Sequence, residues 1–118
     1  MIYKTFDIVL VPFPFCDCPE RKKRPAIVVS STLRFNASCN HTIIAMITSA
    51  SHVAWPLDVV INDMVSAGLS KKSVVRMKLF TVSNELIIKK IGELGIGDRK
   101  NVILSLKNIF SDAMHRAV

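Results

Sequence analysis

Short apolar runs rich in β-branched residues recur along the chain as far as Leu94, each broken off by polar residues, proline or glycine. Ile8-Val9-Leu10-Val11 and Ala26-Ile27-Val28-Val29 are of this kind, and such residues fit the pleated, half-buried surface of a strand. Pro12 and Pro14 are expected to end the first run and Pro25 to start the second, because a proline has no N–H to give to a central ladder. Residues 41–48 carry Ile43, Ile44, Met46 and Ile47 with only loose alternation, which predicts a strand covered on both faces. Residues 57–61 predict a further short strand. Asn62-Asp63 and Gly68 bracket a loop with room for one helical turn. Residues 73–82 predict a long, bent strand, and Ile87-Ile88 with Ile91-Gly92 the last one. Ser31 to Asn40 is polar and mixed, and reads as a loop or a hairpin tip.

From Asp98 the period changes. Val102, Leu106, Ile109 and Ala113 fall on one helical face with Ile103 and Phe110 beside them, and Asp98 is placed to cap the helix. Leu104 points the other way and is a candidate subunit contact. Strands followed by one helix predict a mainly β fold, a small and strongly curved antiparallel sheet with the helix packed at one end. No repeat or linker divides the 118 residues, so a single domain is expected over 1–118.

Charge narrows the partners. Sixteen Lys and Arg against nine Asp and Glu leave a net charge of +7, which suits nucleic acid, an acidic protein or an anionic membrane. The longest apolar run, Ile8 to Cys16, spans nine residues and holds two prolines, too short and broken for a bilayer span. With Asp7 so near the start and no cleavage-site pattern, no secretory signal is read either, and a cytoplasmic protein is expected. Three cysteines do not make a disulfide framework. Cys16, Cys18, Cys39 and His41 flank the second strand and can in principle converge on zinc, but their one-residue spacers are shorter than structural zinc sites use. Reduced cysteines are the default.

Glu20-Arg21-Lys22-Lys23-Arg24 is a basic run between the first two strands, expected as a loop. A run like this is commonly only a solvated surface. Arg24 differs from Lys22 and Lys23 because it abuts a proline and a buried strand, and a guanidinium on a fixed backbone is suited to gripping phosphate.

Taken together, Asp7-Ile8-Val9, Pro12-Phe13-Pro14-Phe15, Lys23-Arg24-Pro25-Ala26, the valine strand to Ser30, and Ile47-Thr48-Ser49 resemble the MazF/PemK family of bacterial toxins. Val75-Arg76, Ile91-Gly92-Glu93-Leu94 and the C-terminal helix extend the resemblance over nearly the whole chain. It implies an SH3-like barrel assembled as a homodimer, an acidic cognate antitoxin, and cleavage of single-stranded RNA with no metal ion or other cofactor. In that chemistry the ribose 2′-hydroxyl is the nucleophile. Carried onto this sequence, the catalytic arginine is Arg24 and the catalytic threonine is Thr48, with Ser49 a weaker candidate for the same pocket.

Lys22, Lys23, Arg76 and Lys78 are expected to contact RNA. Some family members carry an acid two positions after the fifth-strand arginine, whereas here Lys78 follows Arg76, so this face is expected to present two cations. Arginine is a poor general base, which leaves proton transfer open. His41 and His52, flanking the third strand, are candidates, each with a purely structural role as the alternative, and His115 is set aside. Two other functions remain open. One is a CcdB-like inhibitor that binds gyrase. The other is an inactive module binding single strands, for which one Trp, one Tyr and six Phe are a thin supply of stacking platforms.

Overall fold

A computed structural model of the chain describes residues 1–14 and 22–116. Phe15, Cys16, Cys18, Glu20 and Arg21 lie outside them. The strands are β1 (Asp7–Phe13), β2 (Lys22–Val28), β3 (His41–Ser49), β4 (Val59–Val60), β5 (Ser73–Ser83) and β6 (Lys89–Glu93). They form one antiparallel sheet in the order β4-β5-β3-β2-β1-β6. The sheet curls and buries apolar residues on both faces. Ile8, Ile27, Ala45, Ile47 and Val75 point to one side with Leu94 and Val102. Val9, Val11, Ala26, Val28, Ile44 and Met46 point to the other with Tyr3 and Ile87. Neighbours in sequence thus serve opposite cores, which is why the strands read as apolar runs rather than as alternation.

Two expectations about proline are corrected. Pro12 lies within β1, opposite Lys23, and Pro25 lies within β2, opposite Leu10, so Lys22-Lys23-Arg24 are strand residues rather than a loop. Both are tolerated because their nitrogens face places where the ladder has stopped. Val28 O accepts from Phe6 N on the β1 side and Val29 N donates to Ile43 O on the β3 side. Alternation then turns the Pro25 nitrogen toward β3, whose pairing with β2 ends at Ala26 and Met46. Leu10 O likewise accepts from Ile88 N, so Pro12 two residues on faces the β6 side, beyond the last β1–β6 pair at Leu10 and Lys89. A proline inside a strand is acceptable on an open edge. Here it marks where β2 parts from β3.

Residues 31–40 also differ from expectation, forming a wide helical turn (Thr32–Asn36) continued by α1 (Ala37–Cys39). Buried polar groups tie this segment down. Asn36 accepts from the Ser30 hydroxyl and donates to Tyr3 O at 3.0 Å, while Asn84 donates to Asn36 O at 2.8 Å and accepts from Thr42 Oγ1 at 2.6 Å. Such long-range bonds leave no trace in local pattern.

The predicted helical turn is α2 (Met64–Ala67), capped by Asp63, which accepts from Ser66 N at 3.1 Å. Gly68 ends it at φ 71°, and a Cβ there would stand 2.0 Å from Ile91 O, so both backbone and space require glycine. The long helix α3 (Ile96–Ile109) starts earlier than expected, with Gly95 and not Asp98 as its cap. Asp98 is engaged elsewhere. Its buried carboxylate accepts from Asn62 N and Asp63 N, both at 3.0 Å, and from Asn62 Nδ2 at 3.2 Å, fixing the loop that enters α2. Of the predicted apolar face only Val102 and Leu106 reach the core. Ile109 and Phe110 are about two-fifths exposed and Ala113 is exposed, because the helix packs on β4 and β5 and its last turns, with α4 (Ser111–His115), run beyond the sheet. Leu104 is exposed as expected. No helix among the described residues is long and apolar enough to cross a membrane.

Candidate functional site

Parting β2 from β3 opens the surface between Arg24 and Thr48. Arg24 is held by its backbone, paired with Val11, while its side chain is exposed. Across the gap, Thr48 is the eighth residue of the nine-residue β3, at the end where register with β5 shifts past Ala45. Two clefts meet at these residues. The first, about 240 Å³, has Met46 and Ile47 in its lining and carries Phe13, His52, Trp55, Arg76 and Lys78. The second, about 250 Å³, is lined by Pro25, Ser49, Ser70, Lys71 and Ser73. Arg24 and Thr48 line both.

The turn after β3 brings His52 back to the threonine. His52 N donates to Ser49 O at 3.2 Å, and Thr48 Oγ1 and His52 Nδ1 share a hydrogen bond of 2.8 Å. Ser49 faces the second cleft, its hydroxyl 2.8 Å from that of Ser51. His41, the other flanking histidine, is at the opposite end of β3, about 23 Å away at strand rise, with its Nδ1 at Cys39 O. It is not part of this site.

Arg76 corrects the expectation of two free cations on β5. Its Nε donates to Asp58 Oδ1 at 3.2 Å, and its Nη2 to Asp58 Oδ2 at 2.9 Å and to Val53 O at 2.8 Å. The guanidinium also lies 4.8 Å from the Trp55 ring centroid. The acid that pairs with Arg76 therefore comes from the segment before β4, not from two residues along β5. Burial works to raise the Asp58 carboxyl, but hydrogen bonds from Arg76 and from Trp55 N, together with the guanidinium charge, hold it below its ordinary value of 3.8. The Asp58 bond in turn raises Arg76. One arginine thus pins the whole Val53–Asp58 segment, and with it the exposed face of Trp55 and the turn carrying His52.

Lys78, which also lines the first cleft, lies over Phe13 with its Nζ 5.2 Å from the ring centroid. Lys22 and Lys23 are exposed but line a separate groove of about 340 Å³ with Glu85, Leu86 and Ile88. The structure does not bring those two lysines into the Arg24–Thr48 clefts. Among the described residues no three His, Cys, Asp or Glu side chains are grouped to hold a metal ion. Cys39 is exposed, its thiol near Phe35 O, and Cys16 and Cys18 fall outside the described residues.

Trp55 and Asp58 were not legible as site residues. The only signal for Trp55 was that it is the single tryptophan. For Asp58 there was none, since eighteen residues separate it from Arg76.

Residues 4–110 match the family model described as PemK-like, MazF-like toxin of type II toxin–antitoxin system. The chain belongs to that family. No curated protein matches it in sequence. Solved structures share the MazF fold at low identity. A MazF from Deinococcus radiodurans superposes with a TM-score of 0.72 at 15% identity, covering 94% of this chain and 98% of that one. The Mycobacterium tuberculosis toxin MazF-mt6 gives 0.69 at 18%, covering 89% and 96%. An endoribonuclease from a mycobacterial species, in complex with its cognate antitoxin, gives 0.71 at 12%, covering 93% and 94%. At such identities the likeness establishes the MazF fold alone.

Proposed function

We propose that this protein is the toxin of a type II toxin–antitoxin pair and that it cuts single-stranded RNA internally, without a metal ion, through the ribose 2′-hydroxyl. The observation that carries the reading is that Arg24 and Thr48 stand where two open clefts meet. A strand laid across the junction puts one phosphate against Arg24 and Thr48, with nucleotides continuing on both sides, as internal cleavage requires. On the first side Trp55 offers a ring face to a base, and Lys78 offers charge. On the second, Lys71 and the serine hydroxyls offer partners for phosphate and sugar. Lys22 and Lys23 extend the positive field outside the clefts.

In the reaction, O2′ attacks the adjacent phosphorus and O5′ leaves, giving a cyclic phosphate and a free 5′-hydroxyl. Negative charge builds on the non-bridging oxygens, which the Arg24 guanidinium can pair with two at a time and the Thr48 hydroxyl can bond once. A divalent ion needs free oxygen ligands. The charged groups that line the first cleft, Arg24, Arg76 and Lys78, are cations, and the oxygens of nearby Asp58 are already bound to Arg76 and to Trp55 N. The partner that silences such a surface is an acidic antitoxin segment lying over the clefts, and the active toxin is a homodimer, as its family suggests.

Incubation with single-stranded RNA in EDTA, and separately with gyrase and supercoiled DNA, tests the reading. RNA fragments with cyclic phosphate and 5′-hydroxyl ends are expected. Intact RNA with inhibited gyrase would replace the proposal by a gyrase-binding one, and cleavage that needs a restored divalent ion would remove its metal-free chemistry.

A further inference from the structure

On that reading Arg24 and Thr48 bind the phosphate, but neither is suited to take the proton from O2′, and the group bonded to Thr48 in the first cleft is His52. We propose that His52 is the general base of the cleavage step, with Thr48 holding its ring in the tautomer that carries hydrogen on Nδ1 and leaves Nε2 free to accept. The inference rests on the nuclease reading of the same cleft.

The geometry carries it in three steps. The 2.8 Å contact is made by Nδ1, so Nε2 is left unengaged by Thr48. His52 lines the same cleft as Arg24 and Thr48, so a phosphate gripped by those two brings its neighbouring ribose to the imidazole. The backbone that carries the ring is also held. His52 N is bonded to Ser49 O, and Arg76 holds the following segment through Val53 O and Asp58. If Nδ1–H donates to Thr48 Oγ1, the threonine keeps its own hydrogen for a non-bridging phosphate oxygen. One residue then orients the base on one side and binds phosphate on the other, the role that a third group plays in orienting a catalytic histidine.

The O2′–H bond breaks and its proton passes to Nε2, the O2′–P bond forms, the P–O5′ bond breaks, and O5′ takes a proton from water. The imidazolium then returns its proton to solvent. The charged groups that line the cleft with His52 are Arg24 on β2, and Arg76 and Lys78 on β5, with Asp58 bound to Arg76.

A general base works only in its unprotonated form, so the wild-type rate should rise with pH through a limb that depends on position 52. His52→Asn keeps a polar atom near the Nδ1 position but has no proton acceptor at Nε2. It should lower kcat about 100- to 10,000-fold with little change in KM, and abolish the limb. His52→Ala should lose as much and recover partly with added imidazole. Long-range ¹H–¹⁵N NMR of the wild-type protein reads the ring directly. The neutral ring should carry hydrogen on Nδ1, and Thr48→Val should shift it toward the Nε2–H form. A wild-type protein that cleaves while H52N keeps both rate and pH limb overturns the base assignment alone, as does a neutral ring protonated on Nε2. A wild-type protein that leaves RNA intact overturns the nuclease reading and the base with it.

Discussion

Arg24 and Lys22 stand two apart on one strand, yet only the arginine reaches the junction of the clefts. If Arg24 meets the charge that develops on the phosphate, Arg24→Ala should lower kcat about 100- to 1000-fold, as loss of one preorganised donor does. Lys22→Ala should cost about tenfold or less and act mainly through binding, which single-turnover kinetics at saturating RNA would separate. The Asp58–Arg76 pair makes a different claim. A carboxyl held below its ordinary value contributes stability that is fully present above the unfolded value of 3.8 and is lost as pH falls through the lower folded value. Asp58→Asn should therefore be less stable than wild type at neutral pH, and the gap between their thermal midpoints should close below about pH 4. A gap that persisted in acid would mean that the pair is not what holds the Val53–Asp58 segment.

At the level of elements, Asp98 shows what a charged residue in the first turn of a helix can do besides capping. Its carboxylate closes three hydrogen bonds from Asn62 and Asp63, and Asp98→Ala would leave those donors unsatisfied, a loss of about 2–4 kcal/mol measurable by urea unfolding. A loss below about 0.5 kcal/mol would place it among ordinary surface acids. The strands and the α2 turn were legible because apolar content and turn residues are local signals. The register of β2 was not. Pro12 and Pro25 read as strand boundaries, and only the tertiary arrangement, in which each nitrogen faces an unpaired edge, makes them strand residues. Residues 31–40 were misread for the same reason, since Asn36 is satisfied by Tyr3, Ser30 and Asn84, which lie apart in sequence. Arg24 and Thr48 became candidates through a family resemblance, and the structure shows only that both line the two clefts. Arg76 was legible as a residue but not as half of a pair, and the closeness of His52 to Thr48 depends on how one short turn folds back.

Over the whole molecule, the charge is +7 and the two clefts are edged by Arg24, Lys71 and Lys78, a positive surface that attracts anions. Association with an acidic antitoxin segment should slow as salt rises, because steering between opposite charges is screened within about 10 Å at 0.1 M. Stopped-flow rates indifferent to ionic strength would contradict that. The central claim, that the junction of the clefts cuts RNA through the 2′-hydroxyl, is tested most directly by one oligonucleotide pair. The two strands are identical except that one carries a single 2′-deoxy sugar on the 5′ side of the bond that the protein cuts. Both should bind alike in EDTA, since their phosphates are the same, and only the all-ribose strand should be cleaved. Cleavage of the deoxy-substituted strand at that bond would eliminate the nucleophile, and with it the chemistry assigned to Arg24, Thr48 and His52.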